Sequence, residues 1–340
     1  MLKLVSCTES GQDAVEPDLV VSIGIDLGRS KWAFALSWGG EVRRRLATPG
    51  SLHHLDSLLE HYRRCRVQVA YEACGFGYEI AWYLQQRGIA VTVVAPVTIE
   101  RARGARVKND KIDAAELARK LEKGDLKGIY IPTRREHEDR QLSRTYVKAL
   151  KARQRAQVQI RALLQEQGRI GPAPASGWRA YGVWLRLQKE MPVSVAASIE
   201  ELGKLREAEA ESAERLKAAI LDLAKRSEYA TVANALRRQP GVGPFTAIRL
   251  VLEIGTIERF RTAGSFTHYL GLTPSEYSSS DTTRRGHILK SGPGFIRSWL
   301  LECAWRAIRR KGGEEELRQC FERLAPRIGR KRAIIAVARR

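Results

Sequence analysis

Cysteine is scarce and scattered in this 340-residue chain. The five residues, Cys7, Cys65, Cys74, Cys303 and Cys320, form no Cys-x-x-Cys pair, and no histidine stands at zinc-ligand spacing from them. That pattern argues against a disulfide framework and against a zinc finger. No apolar run is long enough to span a bilayer, no basic amphipathic anchor is present, and nothing at the N-terminus reads as a signal peptide. The expectation is a cytoplasmic protein with no membrane partner. A P-loop is also missing, which removes an ATP-driven step, and no internal repeat is visible.

Acidic residues are in short supply as well. Asp and Glu number 38 against 59 Lys and Arg, a formal charge of +21. Self-repulsion of that size is tolerated most often because a polyanion offsets it, and neutralising nucleic-acid phosphates releases condensed counterions. The basic residues run along the whole sequence, densest from residue 306 to 340. This distribution fits a chain that embraces nucleic acid better than one with a single basic tail. With 44% apolar and 29% charged residues, the composition is that of folded protein and excludes disorder as the dominant state.

The first 18 residues are polar and aperiodic, a flexible lead-in. β-branched and alternating patterns then predict strands over 20–27, 31–38 and 41–47, the last two joined by Gly39-Gly40. Helical spacing follows over 52–64, a strand over 67–71, a helix over 78–87, a buried strand over 89–95 and a helix over 111–122. Three strands, then helix, strand, helix, strand, helix is the order of the ribonuclease-H fold. The sequence therefore predicts an α/β domain over 19–133. From about residue 134 the texture becomes long, charged and Ala/Leu-rich, with helices over 140–167 and 195–224 and a broken heptad. This is a helical coiled-coil spacer over 134–232, with 168–192 a loop or cap carrying Trp178, Tyr181 and Trp184. A mostly α domain follows over 233–340, ending in helix 295–310 and a basic tail.

Four carboxylates stand out in the first domain. Asp26 ends the first strand in Ile23-Gly-Ile-Asp-Leu-Gly, where Gly24 and Gly28 would let a phosphate backbone approach. Glu72 ends the fourth strand and meets Asp26 if the two strands are neighbours. Asp110 and Asp113, in Val107-Lys-Asn-Asp-Lys-Ile-Asp-Ala, share one face at the start of a helix. Oxygen ligands converging from strand ends and a helix suit Mg²⁺ or Mn²⁺, which activate an attacking oxygen and stabilise a leaving one in phosphodiester chemistry. Each residue alone has a bland reading as turn former or helix cap; all four in one fold order favour the metal. Lys108 and Lys111 are candidate phosphate contacts or plain surface charge.

Two further motifs lie in the last domain. Leu236-Arg-Arg-Gln-Pro-Gly-Val-Gly-Pro resembles a helix-hairpin-helix element, in which Gly241 and Gly243 would expose backbone N–H groups to phosphate, or serves as an ordinary interhelical turn. The stretch from Pro274 to Gly292 sets Ser278, Ser279, Ser280, Thr282 and Thr283 before Arg284, Arg285 and Lys290. A serine beside arginine forks can attack a phosphodiester and hold a covalent intermediate. On composition alone, a flexible, solvated loop that only contacts DNA is the better description.

Taken together, Gly24-Ile-Asp, Tyr71-Glu, Lys108-Asn-Asp-Lys-Ile-Asp-Ala, Gly271-Leu-Thr-Pro-Ser-Glu-Tyr-Ser-Ser, Arg285-Gly-His-Ile-Leu-Lys and Ile296-Arg-Ser-Trp-Leu-Leu resemble the DEDD-type insertion-sequence transposases of the one-ten family. The resemblance covers nearly the whole chain. It implies a RuvC-like domain, a coiled-coil spacer and a serine-bearing transposase domain. It also implies that Asp26, Glu72, Asp110 and Asp113 are the metal tetrad and that Ser279 is the nucleophile. Further implications are donor and target DNA as partners, a structured bridge RNA as guide, and a dimer or dimer of dimers in which the tetrad of one subunit meets the serine of another. Ser280 stands where the family has glycine, and Thr282 and Thr283 replace basic residues, so the attacking group is Ser279 or a neighbouring hydroxyl. The expected function is cutting and rejoining of DNA through a phosphoserine link. The alternatives are a metal-dependent, junction-resolving nuclease of RuvC type and a non-catalytic nucleic-acid-binding protein.

Overall fold

The computed structural model describes residues 19–95, 114–188, 190–276, 285–289, 292–309 and 315–340. The chain divides into two compact units, one ending at Arg134 and the other running from Arg135 to Arg340.

The first unit is built on a five-stranded mixed sheet. In chain order its elements are β1 (Val20–Leu27), β2 (Lys31–Trp38), β3 (Glu41–Pro49), α1 (Leu52–His61), β4 (Arg66–Glu72), α2 (Glu79–Gln86), β5 (Ala90–Val94) and α3 (Ala114–Glu122). The sheet order is β3-β2-β1-β4-β5. β1, β2 and β3 pair antiparallel, whereas β4 pairs parallel with both β1 and β5. Gly39 and Gly40, with φ of 65° and 85°, supply the left-handed turn that the β2–β3 hairpin needs. β3 is an edge strand carrying three consecutive arginines, Arg43, Arg44 and Arg45. At the other edge, Ile129 N–H donates to Val93 O at 2.7 Å and Val94 bridges Gly128.

Alternation along the strands separates two faces. Val21, Ile23 and Ile25 of β1, Phe34 and Leu36 of β2, and Val69 and Tyr71 of β4 are buried with Leu55, Leu58 and Leu59 of α1 and Ile80 and Leu84 of α2. Each such side chain contributes roughly 1.5–3 kcal/mol of transfer free energy. The other face is small: Ser22, Gly24, Ala35 and Ser37. It receives α3, whose Ala114, Ala115 and Ala118 pack on Ala35. The approach is so close that a Cβ on Gly24 would lie 2.0 Å from Ala114 O and 2.6 Å from Ala118 N. At the far end of α3, the Glu122 carboxylate accepts from Gly40 N–H at 2.7 Å and from the Ser37 hydroxyl.

Among its described residues the second unit is helical apart from one short antiparallel strand pair. α4 (Arg134–Glu166) and α6 (Val193–Leu223) run antiparallel, sharing apolar clusters at both ends. Leu142 and Tyr146 of α4 pack with Ile220 and Leu223 of α6 at one end, and Ile160 and Leu164 pack with Ile199 at the other. The segment expected as loop or cap contains a short 3₁₀ turn and a helix, α5 (Gly177–Arg186). Tyr181 of α5 is buried between Trp178 and Trp184, with the Arg161 guanidinium 4.2 Å from its ring. Glycines at 177 and 182 and a proline at 174 hide this helix from propensity, while its aromatic face secures it to α4 and α6.

Then come α7 (Ser227–Arg237), α8 (Pro244–Ile254), α9 (Ala263–Tyr269), β6 (Pro274–Glu276), β7 (Arg285–Ile288), α10 (Gly294–Arg309), α11 (Glu315–Ile328) and α12 (Arg330–Arg339). The expected basic tail is thus α11 and α12, separated at Gly329 with φ 82° and folded on α10 through Ala304, Phe321, Ile334 and Val337. Among the described residues no helix is long and apolar enough to cross a membrane.

Candidate functional site

Asp26 and Glu72 occupy equivalent heights on adjacent parallel strands. The β1–β4 register pairs Gly24 with Ala70 and Ile25 with Tyr71, so the next residues on each strand are the two carboxylates. Counting in twos, Asp26 shares the face of Gly24 and Ser22, and Glu72 that of Ala70 and Gln68, the face on which α3 lies. Both are half-buried, and the Asp26 carboxylate makes no hydrogen bond or ion pair among the described residues. The neighbouring glycines serve a different purpose from the one expected. Gly24 admits the α3 backbone, and a Cβ on Gly28 would meet Lys31 O at 2.5 Å, so both close internal contacts instead of clearing room for phosphate.

Asp110, Asp113, Lys108 and Lys111 lie outside the described residues. α3 begins at Ala114, the residue after Asp113, and Ala114 O is the backbone atom packed against Gly24. Among the described residues no group of three or more His, Cys, Asp or Glu side chains gathers as a metal cluster.

The turn that follows Asp26 carries no motif that announces it in sequence. Gly28 N–H donates to Lys31 O at 3.0 Å and Gly50 N–H to Ser30 O at 3.1 Å. These bonds fix a tight β1–β2 connection on which Arg29, Ser30 and Lys31 are all exposed. Two cations therefore flank the strand that carries the first carboxylate.

In the second unit, Gly241 and Gly243 join α7 to α8. Gly241 has φ 78°, and a Cβ there would lie 2.2 Å from Cys303 O, so the turn is locked against α10. Gly243 is the N-cap of α8, with open space where a side chain would project. The serine-rich stretch begins and ends as an antiparallel pair, β6 with β7, in which Pro274 faces Ile288 and Glu276 faces Arg285. Ser279, Arg284 and Lys290 lie outside the described residues, as does the side chain of Arg285.

Sequence reading also missed a buried charge cluster. Glu253 of α8 is ion-paired with Arg144 at 3.2 Å and Arg140 at 3.9 Å, both from α4. Arg140 Nε donates to Leu252 O at 2.8 Å. Arg249, only 6% exposed, lies 3.6 Å from the Trp299 ring and donates to the Ser143 hydroxyl. Burial lowers the Arg249 guanidinium to about 10 and pushes the Glu253 carboxyl up. More than a hundred residues separate the partners, so no local motif announces them.

With this geometry in view, two families match the chain. Residues 23–168 match a transposase family of the DEDD IS110 type, and residues 233–319 match the family described as "Transposase IS116/IS110/IS902 family". The first stretch contains all four candidate carboxylates, and the second contains the α7–α8 turn and the serine-rich segment. A protein of Sinorhizobium fredii named as transposase y4qE is 29% identical over 83% of this chain and 70% of its own length. The "Probable family 20 transposase" of Pseudomonas aeruginosa is 29% identical over 71% of each chain. The "Transposase for insertion sequence element IS1111A" of Coxiella burnetii is 25% identical over 79% of this chain and 74% of its own. A DEDD-type domain carries dependence on a divalent metal ion. The donor set fits one: Asp26, without a partner among the described residues, stands beside Glu72 and both offer hard oxygen ligands. The two matched stretches together span more than half of the sequence, and the chain belongs to the IS110/IS116 family of transposases, enzymes that cut and rejoin DNA.

Proposed function

We propose that the chain is a recombinase with a RuvC-like first domain, which cuts and rejoins DNA through a phosphoserine link under the direction of a structured bridge RNA. The observation that carries this reading is the placement of Asp26 and Glu72 side by side at the ends of β1 and β4. The close seat of Ala114 on Gly24 supports it further, because one peptide bond separates Ala114 from Asp113. The sheet order β3-β2-β1-β4-β5, with α3 across the small-residue face, supports the ribonuclease-H reading.

Asp26, Glu72, Asp110 and Asp113 would hold Mg²⁺ or Mn²⁺. When bound, such ions neutralise charge on the scissile phosphate and on the attacking and leaving oxygens. The protein's own groups divide the remaining tasks. The Ser279 hydroxyl, or that of a neighbouring serine, attacks phosphorus. A Ser Oγ–P bond forms as one strand P–O bond breaks, and the serine proton ends on the liberated strand hydroxyl. That bond is exchanged again when a strand end attacks the phosphoserine, so phosphodiester energy is conserved. Arg284, Arg285 and Lys290 neutralise the transferring phosphoryl group, and Lys108, Lys111, Gly241 and Gly243 hold the backbone. Donor and target DNA, the guide RNA and further copies of the chain are the partners, and the compartment is the cytoplasm.

The deciding experiment purifies the full chain from cells, sequences the RNA that accompanies it, and assays adduct formation on DNA spanning the element ends. A discrete structured RNA and a protein–DNA adduct that survives denaturation are expected. Ser279→Ala should lose the adduct while retaining DNA binding, and metal chelation should abolish it. Cleavage without any adduct would replace the serine mechanism by hydrolysis of the junction-resolving kind.

A further inference from the structure

The loop that follows Glu72 carries a feature the carboxylates do not explain. Residues 73–78 read Ala-Cys-Gly-Phe-Gly-Tyr and connect β4 to α2. Gly77, with φ 64°, donates its N–H to Cys74 O at 3.1 Å, and the buried Tyr71 hydroxyl donates to Gly77 O at 3.4 Å. Phe76 sits at the crest of this pinned turn and is 39% exposed. Its ring meets Trp32 in a T-shaped pair, with centroids 6.1 Å apart and planes at 84°. Trp32 is itself only 4% exposed, packs against Phe34, and pairs across the sheet with Leu27, the residue after Asp26. Phe76 is therefore supported from beneath by the core of the α1–α2 face, at the end of the sheet where β1 and β4 end in the carboxylates of the other face. The exposed Arg29 and Lys31 lie on the adjoining β1–β2 turn.

A single exposed apolar residue is ordinary on a protein surface. This one differs in three respects: its turn is hydrogen-bonded on both sides, its ring rests on a buried indole, and cations flank the same end of the sheet. An aromatic platform beside a basic track is how a splayed nucleic-acid strand is held, since every base offers a face to stack on and the backbone follows the charges. Cutting at a phosphate on the Asp26–Glu72 pair requires that the adjoining nucleotide be held still.

We propose that Phe76 is a stacking platform for a nucleobase next to the scissile phosphate, with Arg29 and Lys31 receiving the adjoining phosphates. The proposal rests on the reading of Asp26 and Glu72 as the metal site. It is tested with the full-length protein and a single-stranded DNA oligonucleotide carrying iodouracil at successive positions, irradiated at raised salt to suppress general charge binding. The expected photo-adduct maps to the peptide containing Phe76. Phe76→Leu, which keeps an apolar side chain without a ring, should lose the adduct and weaken binding roughly tenfold or more. Phe76→Tyr should retain both, which a purely structural role would not require. Adducts confined to other peptides, or unchanged binding by Phe76→Leu, would overturn the platform. Mn²⁺ binding by Asp26→Asn is measured in parallel. If that variant binds the ion as the parent does while Phe76→Leu loses the adduct, the metal reading fails. Phe76 is then a DNA contact away from any cutting centre, and the proposal falls in its stated form.

Discussion

Gly24 and Glu253 show how single side chains determine what the two units can do. At Gly24 even a methyl group meets backbone on α3 at 2.0 Å. Gly24→Ala is expected to cost about 1–3 kcal/mol, the range for overpacking a well-filled site, because neither a strand nor a helix backbone can yield independently. Denaturant unfolding checks the magnitude, and a shift below about 0.5 kcal/mol would mean that α3 docks more loosely than described. Glu253 presents the opposite case. Replacing it with leucine leaves Arg140 and Arg249 buried without their countercharge. The expected loss is about 3–5 kcal/mol, as for other broken buried pairs, read from the same unfolding measurement. Of these two residues, Gly24 carries a signal in sequence, but a glycine beside a strand-end aspartate suggests room for phosphate, whereas here it admits the α3 backbone. Glu253 carried none, since its meaning depends on α4 arriving from more than a hundred residues away.

Periodicity decided which elements were legible. β1 and β2 begin and end where their alternation does, and the helix expected over 111–122 is α3, described over Ala114–Glu122. The position of each carboxylate at its strand's end was legible, whereas the neighbouring of β1 and β4, which brings Asp26 beside Glu72, is supplied by the sheet pairing. α5 was hidden because its stability lies in Trp178, Tyr181 and Trp184 packing on other helices, a tertiary contribution that outweighs two glycines. Tyr181→Ala should therefore loosen this end of the second unit by about 3 kcal/mol or more, as loss of a buried aromatic does. Limited proteolysis reports it: cleavage should begin between residues 168 and 192 while the α7–α8 region stays protected. Simultaneous digestion throughout would show that α5 is integral to the whole unit. At the other end of the α4–α6 hairpin, Tyr229 is held by the Asp139 carboxylate at 2.8 Å, and burial with that contact pushes its phenol well above the usual range.

At the scale of the whole molecule, the charge of +21 sets the terms of DNA association. Affinity for DNA should fall linearly in log–log form with salt, with a slope of about −0.9 per phosphate neutralised on duplex. Arg29→Ala and Lys31→Ala should each lower that slope by roughly one if both cations reach phosphate. An unchanged slope in the double variant would place the phosphate path elsewhere. The edges of the sheet in the first unit limit self-association. On β3, Arg43, Arg44 and Arg45 follow one another, so a second copy laid alongside would set arginine against arginine. On β5, Gly128 and Ile129 already occupy the C-terminal end of the ladder. Among the described residues, strand addition is therefore opposed along β3 and at the C-terminal end of β5. Pairing of sheet edges, the sticky, amyloid-like route to self-association, is thus opposed by charge along β3 and by an occupied ladder end on β5.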